Sequence, residues 1–297
     1  MGRRLAVRVP ATTANLGSGF DCVGMAFDWY DELTLEVLDG PGLEVEVTGE
    51  GAGQVPRDER HLVVSSILRG LDAFGVERPG MRLTSHNTIP HSRGLGSSAA
   101  AIVAGLALAW GIAKRGEPLD PAVITRLATD VEGHPDNAGA AAWGGAILAW
   151  SRDARVSLVQ LPLPEDFEAV SFVPDVECST DEARALLPAQ VSRQDAVAQA
   201  ITAAVLPLAL TLRPDLLFDA TADRLHQQYR APLMPESYDL MLRLRAAGVP
   251  AAISGAGPTV IAVGPAAQLA AASEVPADGF AVRRMRPAAG VRLTELA

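Results

Sequence analysis

Pro90-His91-Ser92-Arg93-Gly94-Leu95-Gly96-Ser97-Ser98-Ala99-Ala100 leads directly into the uncharged, apolar segment 101–113. Glycines at 94 and 96 let the backbone come close to an anion. Ser97 and Ser98 stand where a helix begins, so free N–H groups and the positive end of the helix dipole converge on one point. The pattern reads as a phosphate cradle, although a bare Gly-x-Gly-Ser-Ser also starts ordinary core helices. Two commoner anion loops are excluded. A P-loop needs a lysine just after its last glycine, and Lys114 is the only lysine in the chain. A dinucleotide fingerprint needs a third glycine and a suitably placed acidic residue, and both are missing. Arg93 and backbone amides are left to meet the negative charge.

Outward from the cradle, Leu5-Ala6-Val7-Arg8-Val9, Leu33-Thr34-Leu35-Glu36-Val37 and Leu43-Glu44-Val45-Glu46-Val47 alternate as half-buried strands do, with a turn at 39–42 joining the last two. Apolar spacing predicts helices over 62–74, 99–113 and 121–131, and strands over 81–85 and 146–150. Pro162, Pro164 and nearby acidic residues mark a domain boundary. Beyond it the pattern predicts a strand over 169–173, helices over 180–187, 192–212, 215–228 and 237–247, two strands around Gly255-Ala256-Gly257, a helix, and a last strand near Ala281. A chain of 297 residues exceeds the usual single core, so two mixed helix-and-sheet units, 1–165 and 166–297, are expected.

With 48% hydrophobic and 20% charged residues the chain has the material of a globular core, which excludes disordered and fibrous classes. Its net charge of −10 disfavours nucleic acid and anionic membrane as partners, because both bind clustered basic residues. Cys22 and Cys178 have no metal-ligand spacing, and nothing like a signal peptide precedes the first strand, which fits a reducing cytoplasm. The uncharged run 94–113 begins with a glycine-serine turn and is too short to span a bilayer, so a buried helix is expected there.

Four further segments are more polar or glycine-rich than their surroundings. Pro10-Ala11-Thr12-Thr13-Ala14-Asn15-Leu16-Gly17-Ser18-Gly19-Phe20-Asp21 reads as a loop after the first strand, where Asn15 and Asp21 offer an amide and a carboxylate to a polar ligand. Turn chemistry alone would also explain them. Glu132-Gly133-His134-Pro135-Asp136-Asn137 sets one carboxylate on a helix end and another on a turn, an arrangement able to serve a magnesium ion and a nucleophilic hydroxyl. His134 reads as a supporting residue, because no partner histidine or cysteine stands at ligand spacing. Ser254-Gly255-Ala256-Gly257-Pro258-Thr259 is either a tight hairpin or a backbone cover for phosphate. Arg184 and Arg230 each have the fork that grips a carboxylate, and equally that of a surface ion pair.

Taken in order, the early Pro-Ala-Thr-Thr-Ala-Asn-Leu-Gly segment, the Gly-Leu-Gly-Ser-Ser-Ala-Ala cradle and the late Ser-Gly-Ala-Gly-Pro-Thr turn resemble the kinase family named for galactokinase, homoserine kinase, mevalonate kinase and phosphomevalonate kinase. Asn15-Leu16-Gly17 with Phe20-Asp21, His134-Pro135-Asp136-Asn137 and Ser179-Thr180 with Ala183-Arg184 are most similar to its homoserine-phosphorylating members. The resemblance implies an α+β fold of two domains. The first would be like the second domain of ribosomal protein S5, with a left-handed crossover, and the second like a ferredoxin. It further implies ATP held by Pro90, His91, Ser92, Arg93, Gly94, Leu95, Gly96, Ser97, Ser98 and Ala99, assisted by Gly255 and Gly257. Mg²⁺ would sit on Ser98 and Glu132. L-Homoserine would be bound by Asn15, Asp21, Asp136, Arg184 and Arg230, with Asp136, Asn137 and Arg93 in the chemistry. Asp136 is left as either general base or orienter. Two departures stand out: His61-Leu62-Val63 replaces Asn-Leu-Val near the adenine, which puts His61 at the base, and Ala138-Gly139-Ala140 replaces Val-Ala-Pro, which alters a turn. A mevalonate-like or sugar kinase of the same fold, or a non-catalytic ligand-binding relative, shares most of these motifs. A homodimer remains open.

Overall fold

The protein is described by a computed structural model over residues 3–153 and 155–296. The chain runs β1 (Arg4–Ala14), β2 (Val23–Leu38), β3 (Leu43–Gly49), α1 (Leu62–Phe74), β4 (Gly80–Asn87), α2 (Ser97–Ala113), α3 (Pro121–Glu132), α4 (Asp136–Trp143), β5 (Ala146–Arg152) and β6 (Arg155–Leu161). It continues through β7 (Phe167–Pro174), α5 (Thr180–Ala185), α6 (Arg193–Thr211), α7 (Leu217–Ala220), α8 (Gln227–Arg230), α9 (Pro235–Ala246), β8 (Ala251–Ile253), β9 (Val260–Pro265), β10 (Phe280–Met285) and β11 (Arg292–Leu296).

The first sheet has the order β11-β1-β2-β4-β3, and β5 and β6 extend it from the beginning of β2. Alternating side chains of β1, β2 and β4, among them Leu5, Val7, Leu35 and Leu83, pack with Ile67 and Leu71 of α1 and Val103 and Leu106 of α2. The run 97–113 is therefore the central core helix, which accounts for its lack of charge. The turn at 39–42 does not make β2 and β3 a hairpin. β4 lies between them, antiparallel to β2 and parallel to β3. Parallel neighbours need a crossover, which α1 supplies.

The second sheet is antiparallel with the order β10-β7-β9-β8. With helices between β7 and β8, this is a ferredoxin-like arrangement. Val170, Phe172 and Ile253 pack under Leu240 and Leu244 of α9. A third apolar cluster draws Leu16, Met25 and Phe27 from one half and Phe167, Leu206, Leu210 and Ile261 from the other, and joins the two sheets.

Four sequence expectations change. β1 continues through Ala14, past a register shift at Pro10/Ala11, so the polar 10–14 stretch is strand and not loop. Proline cannot donate to a ladder, and a bulge there preserves the pairing. The helix expected over 215–228 is broken into α7 and α8, because the Asp223 carboxylate takes the N–H groups of Leu225, His226 and Gln227. Such local side-chain bonds compete with helix. Only a short 3₁₀ turn, Ala270–Ser273, stands where a helix was expected before β10. Finally, β11 leaves the second half and pairs with β1, so residues 292–296 complete the first sheet. Among the described residues, α6 is long and apolar enough by composition to cross a membrane, and its Val197, Ile201 and Leu208 are exposed.

Candidate active site

Three segments far apart in sequence meet at one place. Thr12 N donates to Leu95 O at 3.0 Å, Gly255 N to Ala14 O at 2.8 Å and Thr259 N to Arg93 O at 3.2 Å. Ser254 Oγ lies 2.7 Å from Thr13 Oγ1 and 2.6 Å from Gly94 O. The end of β1, the cradle and the β8–β9 turn are thus one hydrogen-bonded unit. Gly94 and Gly96 both have positive φ, 75° and 68°. A Cβ on Gly96 would overlap the Thr12 hydroxyl and one on Gly94 the Ser254 carbonyl, so only glycine allows this approach. Gly96 precedes α2 in the left-handed conformation with no side-chain cap, which leaves the first N–H groups of the helix free to meet an anion.

A cavity of about 690 Å³ opens over that helix start. Ser92, Gly94, Gly96, Ser97, Ser98 and Ala99 form its floor, with His91 at one end. Gly255 and Gly257 also line it, packed beside Gly94. Towards one end lie His61, Val55, Pro56 and Asn87, of which the sequence reading found only His61. His61 immediately precedes α1, and its buried Nδ1 has no partner. Burial and the neighbouring His91 push its pKa down, which disfavours a charged ring at this end.

Towards the other end lie Asn15, Glu132, His134, Asn137, Arg184 and Arg230. Glu132, the last residue of α3, has a buried Oε2 without a partner, and burial lifts its carboxyl from the ordinary 4.5 to about 7. Asp136 adds to that rise and His134 opposes it. Asp136 opens α4 and is fully buried, outside the cavity lining. Its Oδ1 accepts from Asn137 N at 2.7 Å and lies 2.7 Å from His134 Nδ1, whose pKa this contact raises, while Oδ2 is unpartnered. Thr12 Oγ1 donates to Asn137 Oδ1 at 2.7 Å, which turns the Asn137 NH₂ towards the cavity. No role for the Thr12 hydroxyl was read from the sequence, where it looks like one more turn residue.

Arg230 is 1% exposed, yet among the described residues no carboxylate lies within 4.0 Å of it. Its Nε donates to Ala183 O at 3.3 Å and its Nη1 to Gly255 O at 3.2 Å. Burial and nearby Arg184 push its pKa down, and the carboxylates of Asp21 and Asp223, beyond ion-pair distance, oppose that shift. Asn15 Oδ1 accepts from Asp21 N at 2.8 Å, and Asp21 pairs with Arg184 at 3.0 Å. Asp21 is therefore beside the cavity, behind Arg184, and not in its wall.

Arg93 does not take the role given to it. Its guanidinium donates to Pro174 O, His91 O and Asp175 O at 2.6–2.8 Å, so it ties the cradle to the end of β7 and faces away from the cavity. Pro90 and Leu95 also lie outside the lining, Leu95 because its side chain is in the core.

A helix start with free amides, an unpartnered carboxylate and a buried guanidinium line one cavity, an arrangement suited to phosphoryl transfer. Family models of the GHMP kinases match the chain, the N-terminal domain over residues 61–145 and the C-terminal domain over 209–280. The chain belongs to the GHMP kinases. It is 51% identical to a homoserine kinase of Cutibacterium acnes over 94% of this chain and 95% of that one. The crystal structure of a homoserine kinase from Cytophaga hutchinsonii superimposes with a TM-score of 0.84 at 29% identity, covering 98% and 97% of the two chains. The mevalonate diphosphate decarboxylase of Enterococcus faecalis, studied for its ATP binding, shares the fold with a TM-score of 0.69 at 15% identity over the full length of both chains. As in other GHMP kinases, ATP is the nucleotide to be accommodated.

Proposed function

We propose that this GHMP kinase transfers the γ-phosphoryl group of ATP to the side-chain hydroxyl of L-homoserine, giving O-phospho-L-homoserine on the route to threonine. The observation that carries the substrate is Arg230: a buried guanidinium without a carboxylate partner, opening into the same cavity as the cradle. An amino acid supplies the missing carboxylate, and mevalonate or a sugar lacks the accompanying ammonium. Arg184 and Arg230 take the carboxylate, while Asn15 in the cavity lining faces the ammonium and Asp21, beside the cavity, supplies negative charge through its contact with Arg184. The cradle from His91 to Ala99 and the α2 amides hold the triphosphate.

The residues fit a magnesium ion. Mg²⁺ favours one or two protein oxygens with phosphate and water completing its shell, and Ser98 and the unpartnered Glu132 Oε2 are such a pair. Among the described residues no cluster of three acidic, histidine or cysteine side chains offers an all-protein cage. When bound, the ion neutralises charge on the transferring phosphoryl group. The chain's own part is positioning. Asn137, oriented by Thr12, turns its NH₂ towards the transferred group, and Asp136, sealed beneath, orients Asn137 and His134 instead of touching the hydroxyl. A loose transition state asks for little more than alignment and charge stabilisation. The two free cysteines, Cys22 and Cys178, suit a cytoplasmic setting.

The purified protein with ATP and magnesium should release ADP with homoserine, and far more slowly with mevalonate or galactose offered alone. Faster release with either of the others, or none with homoserine, refutes the assignment.

A further inference from the structure

His226 is the one fully buried imidazole beside the substrate end of the cavity, and its surroundings support an inference that rests on the carboxylate-binding role of Arg230. The ring is stacked on Phe20, with centroids 4.9 Å apart and planes at 18°. Nε2 lies 2.9 Å from Gly17 O, and Nδ1 lies 3.3 Å from Arg230 Nη1. A carbonyl can only accept and a guanidinium can only donate. The two contacts therefore fix the tautomer: Nε2 carries the proton and donates to Gly17, and Nδ1 accepts from Arg230.

A doubly protonated ring would set a donor against the guanidinium. Burial, aided by Arg230, pushes the imidazole's pKa down, against the opposing pull of Asp223 at 3.6 Å, of Asp21 and of the Gly17 carbonyl. Asp223 itself accepts from the backbone N–H groups of Leu225, His226 and Gln227, which lead into α8, so the backbone carrying the ring is fixed as well.

Gly17 belongs to the loop that presents Asn15 and Asp21, and Arg230 belongs to α8, more than two hundred residues later. Gln199 reinforces the same junction, donating to Ser18 O at 3.0 Å and accepting from Arg224 N at 2.8 Å. We infer that His226 is a positioning residue for substrate selection: its neutral ring couples the ammonium-binding loop to the carboxylate-binding arginine and so sets the separation between the two charges the site accepts. Nη2 of Arg230, which makes no hydrogen bond among the described residues, is thereby left for the substrate.

The test compares homoserine with 3-aminopropan-1-ol, the same amino alcohol without the carboxylate. In the wild-type enzyme kcat/KM should favour homoserine by about 100-fold or more, as expected for a site with a buried group made to bind the missing anion. His226→Leu should reduce that preference by about tenfold through the homoserine KM, with kcat and the ATP KM within about threefold of wild type. His226→Asn, whose Oδ1 can accept from Arg230, should restore most of the preference. Nitrogen NMR of the wild-type ring at about pH 7.5 should report a neutral imidazole protonated at Nε2. Loss of the 100-fold preference in wild type itself would refute the carboxylate reading of Arg230. A strong wild-type preference left unchanged in the Leu variant, or equal losses with both substrates, would overturn the positioning role alone. Should the Leu variant not fold, the Asn variant and the ring signals decide: an imidazolium or an Nδ1–H ring overturns the inference.

Discussion

Glu132→Gln should stabilise the fold and disable the enzyme. The Glu132 carboxyl is lifted from 4.5 to about 7, chiefly by burial. Below pH 4.5 it is protonated in both folded and unfolded chains and contributes nothing to pH dependence. Between pH 4.5 and 7 the unfolded chain releases the proton first, so stability falls as pH rises, and above about 7 the full penalty remains. At about 1.36 kcal/mol per pH unit, the rise corresponds to roughly 3 kcal/mol, an upper bound for a glutamine that stays neutral in the same place. For a chain of this size that is roughly 5 °C in Tm. Melting wild type and variant in EDTA across pH 4 to 8.5 should show the two curves converge in acid and separate as pH rises, with the variant higher. In kinetics the variant should lose about 100-fold or more in kcat/KM for magnesium ATP, because the ion loses its carboxylate. A variant no more stable than wild type at pH 8 without metal, or one with unchanged magnesium dependence, would refute the argument that Glu132 is a strained carboxylate awaiting a cation.

Ser98→Ala should raise the magnesium concentration needed for half-maximal rate, by about tenfold, with homoserine affinity preserved; unchanged turnover at limiting magnesium contradicts its place on the ion. Arg184→Leu should raise the homoserine KM by about 10–100-fold and leave that of ATP nearly alone, and equal effects on both would remove it from the carboxylate site. Asp136→Asn should lower kcat by about 100-fold with the fold retained by circular dichroism, since it loses the anion that orients His134 and Asn137, whereas near-wild-type turnover excludes Asp136 from the mechanism.

Much of the site was legible in linear form. The cradle, Glu132, Asn137, Arg184 and Arg230 all reach the cavity because each sits in a short motif whose residue types answer a definite need: glycine for close approach, serine at a helix start, arginine for a carboxylate. What could not be read was the direction of side chains. Arg93 stands in the middle of the cradle motif, yet its guanidinium is drawn to the three carbonyls at 91, 174 and 175. Asp136 reads as a turn carboxylate facing substrate, yet the first turn of α4 seals it. His226 gave no signal at all, since the i, i+3 pair Asp223 and His226 looks like any polar helix turn until Gly17 is brought against it.

The linear sequence by itself determined where strands and helices could form, because alternation and helical spacing are local, and it determined the chemistry of the cradle, because free amides and glycine conformations depend on a few adjacent residues. Tertiary structure alone decided that β4 separates β2 from β3 and that β11 closes the first sheet, since strand neighbours are chosen by burial of whole faces and by crossover geometry. It alone left Arg230 buried without a carboxylate in ion-pair contact, because that burial arises only when the segments carrying Ala183, Arg230 and Gly255, distant in sequence, close around one guanidinium.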